Sequence, residues 1–285
     1  MKFSWRDVWE QARFFYGISH RAEAISAMQH RMYREPLLAA EKAADPLTLA
    51  PYGFTAYSQG DDDGIIEEIF RRIGAVNREF IDFGCADGLE NNTTYLLLTG
   101  WRGFWIDGDS ANIATVRDNF GDFLKSGHLK LLEAFITREN IDDLLRQSGL
   151  SEEPDLLSID IDGNDYWVWE AIDAIRPRVV AIEYNGTFRP PHKVVQSYNP
   201  AHQWHSDSYF GASLKALEAL GARKGYDLAG CNFAGLNAFF VRRDLAGDKF
   251  SKPFTAEHHY RECLYDAFVR GYSRHRKAVG RYELL

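Results

Sequence analysis

Along the middle of the chain, short apolar runs alternate with longer stretches whose apolar residues recur at helical spacing. Runs at 79–83, 103–107, 129–136, 156–161 and 179–184 read as strands. Helices are expected between them near 91–99, 110–120, 138–149 and 165–175. Strands separated by helix-length segments imply βαβ units and a mostly parallel sheet. Upstream, Trp5, Val8, Trp9, Ala12, Phe15 and Tyr16 predict helix over 4–45, which Pro46 and Pro51 end. The run DDDGIIEEIFRRIG from Asp61 predicts an amphipathic helix with acids at its start, closed by Gly74.

After Tyr184 the alternation stops for about 25 residues rich in aromatic, His and Pro side chains, up to a helix near 212–223. Loops of that length are usually functional or disordered, and residues 186–210 are read as a substrate lid. The segment YDLAGCNFAGLNAFFVRRD predicts two antiparallel strands around Phe233-Ala234-Gly235. A helical tail with solvated cations is expected over about 255–280. This divides the chain into an N-terminal helical extension (1–56), a central domain (57–245) and a C-terminal helical tail (246–285).

Composition narrows the function. A net charge of −8 and a pI near 5.6 lack the basic face that nucleic acid requires. A small molecule or a glycan fits better, and a homo-oligomer stays open. Cys85, Cys231 and Cys263 have neither disulfide-framework nor zinc spacing, so a reducing, cytoplasmic setting is expected. No stretch reads as a signal peptide or membrane span.

The segment Phe80-Ile81-Asp82-Phe83-Gly84-Cys85-Ala86-Asp87-Gly88 runs a strand into a loop with glycines four apart. Such a turn lets backbone approach a small polar ligand. The spacing is not G-x-G-x-x-G, which weakens a nicotinamide-dependent oxidoreductase reading. Asp107, at the second strand's end, is placed to accept both hydroxyls of a ribose, and Ala134 and Phe135 at the third to flank an adenine. Cys85 is read as a small loop residue rather than a nucleophile.

The D-x-G-x-x-x-G loop, the acidic second strand and the terminal hairpin resemble a class I S-adenosylmethionine-dependent methyltransferase over roughly residues 60–243. The element Tyr57-Ser58-Gln59-Gly60-Asp61-Asp62-Asp63 is similar to one found in FkbM-like members. The departures are Asp87, where FkbM-like chains carry Asn, and Asp107-Gly108, where they carry Glu-Pro. The resemblance implies a Rossmann-like α/β fold with a seven-stranded sheet, and O-methylation of a sugar or small natural product. It implies cofactor contacts from Gln59, Asp82, Gly84, Cys85, Gly88, Asp107, Ala134, Phe135 and Asp160.

On the fourth strand, a period of two puts Asp160 and Asp162 on one face about 7 Å apart. The fifth strand delivers Glu183 and Asn185 alike. These oxygens either hold a hard cation such as Mg²⁺ or divide metal binding and proton removal. The plainer alternative makes Asp162-Gly163-Asn164-Asp165 a turn and helix cap, with Asp160 on the cofactor's ammonium. Resemblance to sugar methyltransferases implies metal on Asp160, Glu183 and Asn185, with Asp162 as base. His205, between Trp204 and Asp207, is the alternative base. A non-catalytic nucleoside-binding protein is the reading from another class, and the acids on strands four and five speak against it.

Overall fold

The computed structural model describes residue 28, residues 32–264 and residues 275–285. The chain divides into two units between Pro46 and Leu47. In the first, residues 32–44 are helical; the rest of the expected 4–45 helix lies outside the described residues, apart from residue 28. The boundary falls earlier than the expected 57 because Leu49 is already buried in the second unit's core.

The second unit opens on α1 (Asp62–Ile73), with Asp62 and Asp63 in its first turn, Arg71 and Arg72 in its last, and Gly74 as its cap. Asp63 at the start and the two arginines at the end complement the helix dipole. Ile65, Ile66, Ile69 and Phe70 form its buried stripe. There follow β1 (Glu79–Phe83), α2 (Thr94–Leu98), β2 (Arg102–Asp107), α3 (Ser110–Asn119), α4 (Gly121–Ser126), β3 (Leu129–Glu133), α5 (Ile141–Arg146), β4 (Leu156–Ile159), α6 (Asp165–Ala171) and β5 (Val179–Glu183). Beyond these lie β6 (Val194–Gln196), α7 (Leu214–Lys224), β7 (Tyr226–Cys231), β8 (Asn237–Arg242), α8 (Arg243–Ala246), α9 (Ala256–His259) and β9 (Tyr282–Leu284).

Seven strands form one sheet in the order β3-β2-β1-β4-β5-β8-β7, parallel except for β8 and β7. This is the mostly parallel sheet with an antiparallel terminal hairpin that the alternation predicted. Both faces are covered, and the strand period sorts the core. Ile81, Phe83, Phe104, Ile106, Leu157 and Ile159 join one apolar cluster. Phe80, Trp105, Leu156, Val179 and Ala181 join the other. Each large side chain contributes about 1.5–3 kcal/mol by leaving water. No helix among the described residues is long and apolar enough to cross a membrane.

Three expectations are corrected. The apolar runs at 129–136 and 156–161 outlast their strands, because the chain turns off the sheet where the ligand cavity opens: Ala134 N–H bonds back to the Asp107 carbonyl at 3.0 Å, and Asp162 takes a left-handed φ of 55°. The helical tail is helical at α9 but not over 260–264 or 275–281, while 265–274 lie outside the described residues. Its backbone is used elsewhere: Leu264 N–H donates to the Ala234 carbonyl, and β9 pairs antiparallel with β6. The stretch 186–210, expected to be a loop throughout, is therefore partly a sheet, since β6 lies inside it.

Candidate active site

Two adjoining cavities open at the carboxyl ends of the parallel strands, where open α/β sheets bind ligands. The first, of about 570 Å³, is lined by Gly84, Ala86, Asp107, Gly108, Asn112, Ala134 and Phe135 on the sheet side. Asp162, Asn164, His202, Gln203 and Trp204 close it from the lid side. The second, of about 340 Å³, is lined by Gln59, Asp82, Glu90, Asn91, Asn92, Ser158, Asp160, Glu183 and Asn237 among others. Gly84, Ala86, Asn112, Asp160, Asp162 and Trp204 wall both. A ligand longer than either can lie across Gly84 and Ala86.

Gly84 is a backbone necessity: its φ is +74°, and a Cβ there would sit 1.7 Å from the Asp160 carbonyl oxygen. Asp107 braces the same loop. One of its oxygens accepts the Ala86 N–H at 2.9 Å, and the other accepts Asp109 N–H at 2.8 Å and Asn112 Nδ2 at 3.3 Å. A carboxylate offers about four lone-pair sites, so Asp107 retains capacity for a ribose hydroxyl.

Asp160, Asp162 and Glu183 bring one oxygen each within 4.8 Å of one another. Burial lifts the Asp160 carboxyl well above its usual range, and Asp162 and Asp165 add to the rise. Glu183 is raised likewise, by burial and then by Asp160 and Asp162, and its Oε2 is buried without a partner. Asp162 is pushed up to about 6, first by burial and then by Asp165 and Asp107. Its carboxyl is accessible because it faces the cavity, although protein encloses it. Burial takes Asp82 to about 7 despite a 2.7 Å bond from Thr93 Oγ1. Such a cluster gains most from a positive charge in its midst.

Of the expected cofactor residues, Gln59, Asp82, Gly84, Asp107, Ala134, Phe135 and Asp160 line the cavities. Cys85 does not: its side chain is fully buried in the core, and burial raises its thiol pKa further. Gly88 does not either. It is small because Trp105 and Phe120 press on it, each 2.8 Å from where a Cβ would stand.

Two further expectations are overturned. Asn185 leaves the acidic cluster because β5 ends at Glu183; its Nδ2 donates to the Phe210 carbonyl at 2.9 Å and its Oδ1 accepts Thr187 N–H. His205 is exposed and lines neither cavity. Asp207 does not orient it: its carboxylate accepts Tyr209 N–H, and the chain reverses at Ser206 with a φ of 55°. The histidine that does reach the cavity is His202, whose Nε2 lies 3.2 Å from the Asp162 carbonyl.

Sequence reasoning also missed Asn91, Asn92, Asn112, Trp204 and Asn237. Asn91 and Asn92 stand in the stretch expected to be helix, and only their place before α2 marks them. The stretch 162–165 is a turn, braced by the Asp165 carboxylate, which accepts the N–H groups of Ile161 and Gly163; it is not a side-chain helix cap, since the N-cap Asn164 makes no such bond.

No family model matches the chain, and no curated protein does. Among solved structures it is similar to the pyocyanin biosynthetic protein PhzM, at 14% identity and a TM-score of 0.38, over 62% of this chain and 54% of that one. The methyltransferase domain of bacterial CtHen1-C overlaps at 15% identity and 0.41, over 64% and 97%. The glycopeptide N-methyltransferase MtfA overlaps at 13% and 0.40, over 64% and 90%. The chain thus spans about half the length of the first. Overlaps so partial carry no argument about chemistry. The strand order itself, with its antiparallel hairpin, is that of the Rossmann-like class I methyltransferase fold.

Proposed function

We propose that the protein is an S-adenosylmethionine-dependent methyltransferase acting on a hydroxyl of a sugar or small natural product. One observation carries the cofactor reading: Asp82, Asp87, Glu90, Asp107, Asp109, Asp160, Asp162 and Glu183 line the two cavities, and among the described residues no Lys or Arg does. A sulfonium with an ammonium group suits that field. A nicotinamide dinucleotide would bring its pyrophosphate against the same acids, with no Lys or Arg among the described lining residues to meet it.

The division of labour follows the walls. Asp107 takes the ribose, Ala134 and Phe135 flank the adenine, and Gln59, Asp82 and the Gly84–Ala86 backbone line the path of the methionine part. The bound cofactor supplies an electrophilic methyl group. The chain's part is to hold the acceptor oxygen in line and to take its proton. Asp162, with its carboxyl near 6, is ionised at neutral pH and is assigned that role. Asp160, Asp162 and Glu183 also fit a divalent cation such as Mg²⁺, which favours all-oxygen donors and makes a coordinated hydroxyl more acidic.

The direct test is calorimetry with S-adenosylmethionine and its demethylated product. Both should bind the wild type, and Asp107→Ala should weaken them by about tenfold or more. Binding of a nicotinamide dinucleotide in their place would overturn the reading. With an acceptor in hand, turnover that collapses in chelator and returns with Mg²⁺ supports the metal; chelator-resistant turnover leaves Asp162 as base alone.

A further inference from the structure

The second cavity contains a hydrogen-bond donor with nothing to bond. Asn91 is 8% exposed and lines this cavity. Its Oδ1 accepts the backbone N–H groups of Thr93 and Thr94 at 2.9 and 2.8 Å and the Thr94 hydroxyl at 2.9 Å. Two of those partners can only donate, so the amide cannot be flipped and its nitrogen must lie on the other side. Asn91 Nδ2 has no partner there. Neighbouring Asn92 differs, because its Nδ2 reaches Ser158 Oγ at 3.3 Å. An unmade bond at a buried amide leaves its desolvation cost uncompensated. A rigid donor kept unpaired beside so many carboxylates is not serving the protein's own acids.

What completes it must be an acceptor arriving with a ligand. Resting on the cofactor reading above, the geometry points to the α-carboxylate of S-adenosylmethionine: we infer that Asn91 is the residue that reads this group. The cofactor's amino-acid end carries one anion and one cation. The cation has Asp82, Asp160 and Glu183 to choose from; the anion needs a neutral N–H donor, because no Lys or Arg is among the described residues that line the cavity. Asn91 thereby makes the site selective for the carboxylate-bearing cofactor over its decarboxylated form, which keeps the sulfonium and the amine.

The test compares binding of S-adenosylmethionine and decarboxylated S-adenosylmethionine to the full chain by calorimetry. Asn91→Asp retains an oxygen for Thr93 and Thr94 while replacing the donor with a negative charge. It should weaken S-adenosylmethionine by about tenfold or more and leave the decarboxylated compound unchanged or tighter. Asn91→Ser, with a neutral cap of shorter reach, should lower the ratio of the two affinities in the same direction. Melting curves matching the wild type certify folding. Equal weakening of both ligands, or no change in either, overturns the role of Asn91 while the cofactor reading stands. A wild type that binds neither overturns both.

Discussion

Asp162 shows how one residue is held ready. It sits in the left-handed region at φ 55°, where Asp is better tolerated than most residues, and two neighbours hold it there. Asp165 gathers the N–H groups on either side, and His202 lies against its carbonyl. Asp162→Asn preserves this backbone while removing the charge. Turnover should fall by about a hundredfold or more, with the dissociation constant of the demethylated cofactor within about threefold of wild type. Because the group must be ionised to take a proton or hold a cation, kcat/KM should rise with pH and level off above about 6. A bound sulfonium moves the inflection lower. A rate that falls as pH climbs through that region would remove Asp162 from the role. Asp160, Asp162 and Glu183 were singled out from sequence and do meet, although β4 ends at Ile159 and it is the turn at Asp162, not the period of two, that completes the cluster. Alternation misplaced Asn185 because β5 ends at Glu183 and the chain turns, and His205, chosen for its neighbours Trp204 and Asp207, points away because the chain reverses at Ser206.

At the scale of elements, the start of α1 holds a second set of acids with a different consequence. Asp63 accepts the N–H groups of Ala56, Tyr57 and Ser58, fixing the loop that presents Gln59. Asp62 is fully buried, accepts from Asn232 Nδ2 at 3.0 Å, and is pushed up to about 8 by burial and by Asp61. Its folded pKa stands above the unfolded value of 3.8, so ionisation favours unfolding and stability falls as pH rises from about 4 toward 8. Asp62→Asn, close in shape to the protonated acid, should flatten that fall and stabilise the protein by several kcal/mol at pH 8, with little gain near pH 4. Urea unfolding of both proteins at the two pH values reads this directly; a variant less stable at pH 8 would show that the charge is needed. The elements themselves were legible where burial is two-sided, as in β1 and β5, whose apolar runs have nowhere to sit but a covered sheet. The start of α2 was less so: Asn91, Asn92 and Thr93 have helical neighbours in sequence but serve as its polar approach.

For the second unit as a whole, the pairing of β6 with β9 had no local signal, since neither three-residue strand has a pattern of its own and their partners lie far apart in sequence. Its effect is to tie the lid down. Ser197 N–H donates to the Arg281 carbonyl and Ser208 N–H to that of Arg276. The Tyr209 hydroxyl reaches the Arg281 carbonyl, and Tyr282 wedges its ring between Phe188 and Tyr209 at 4.9 and 5.0 Å while its hydroxyl donates to Ser208 at 3.2 Å. The lid then delivers His202 and Trp204 to the cavities. None of these bonds belongs to the seven-stranded sheet, so lid and sheet should open at different free energies. Tyr282→Ala removes the wedge and leaves the sheet untouched. Hydrogen exchange should therefore quicken at Gln196, Ser197 and Ser208 by about tenfold or more, while Phe104, Leu157 and Ala181 in the sheet keep their protection. Faster exchange in both sets would mean that strap, lid and sheet open as one body. Unchanged exchange in the lid would mean that the β6–β9 ladder holds without the tyrosine.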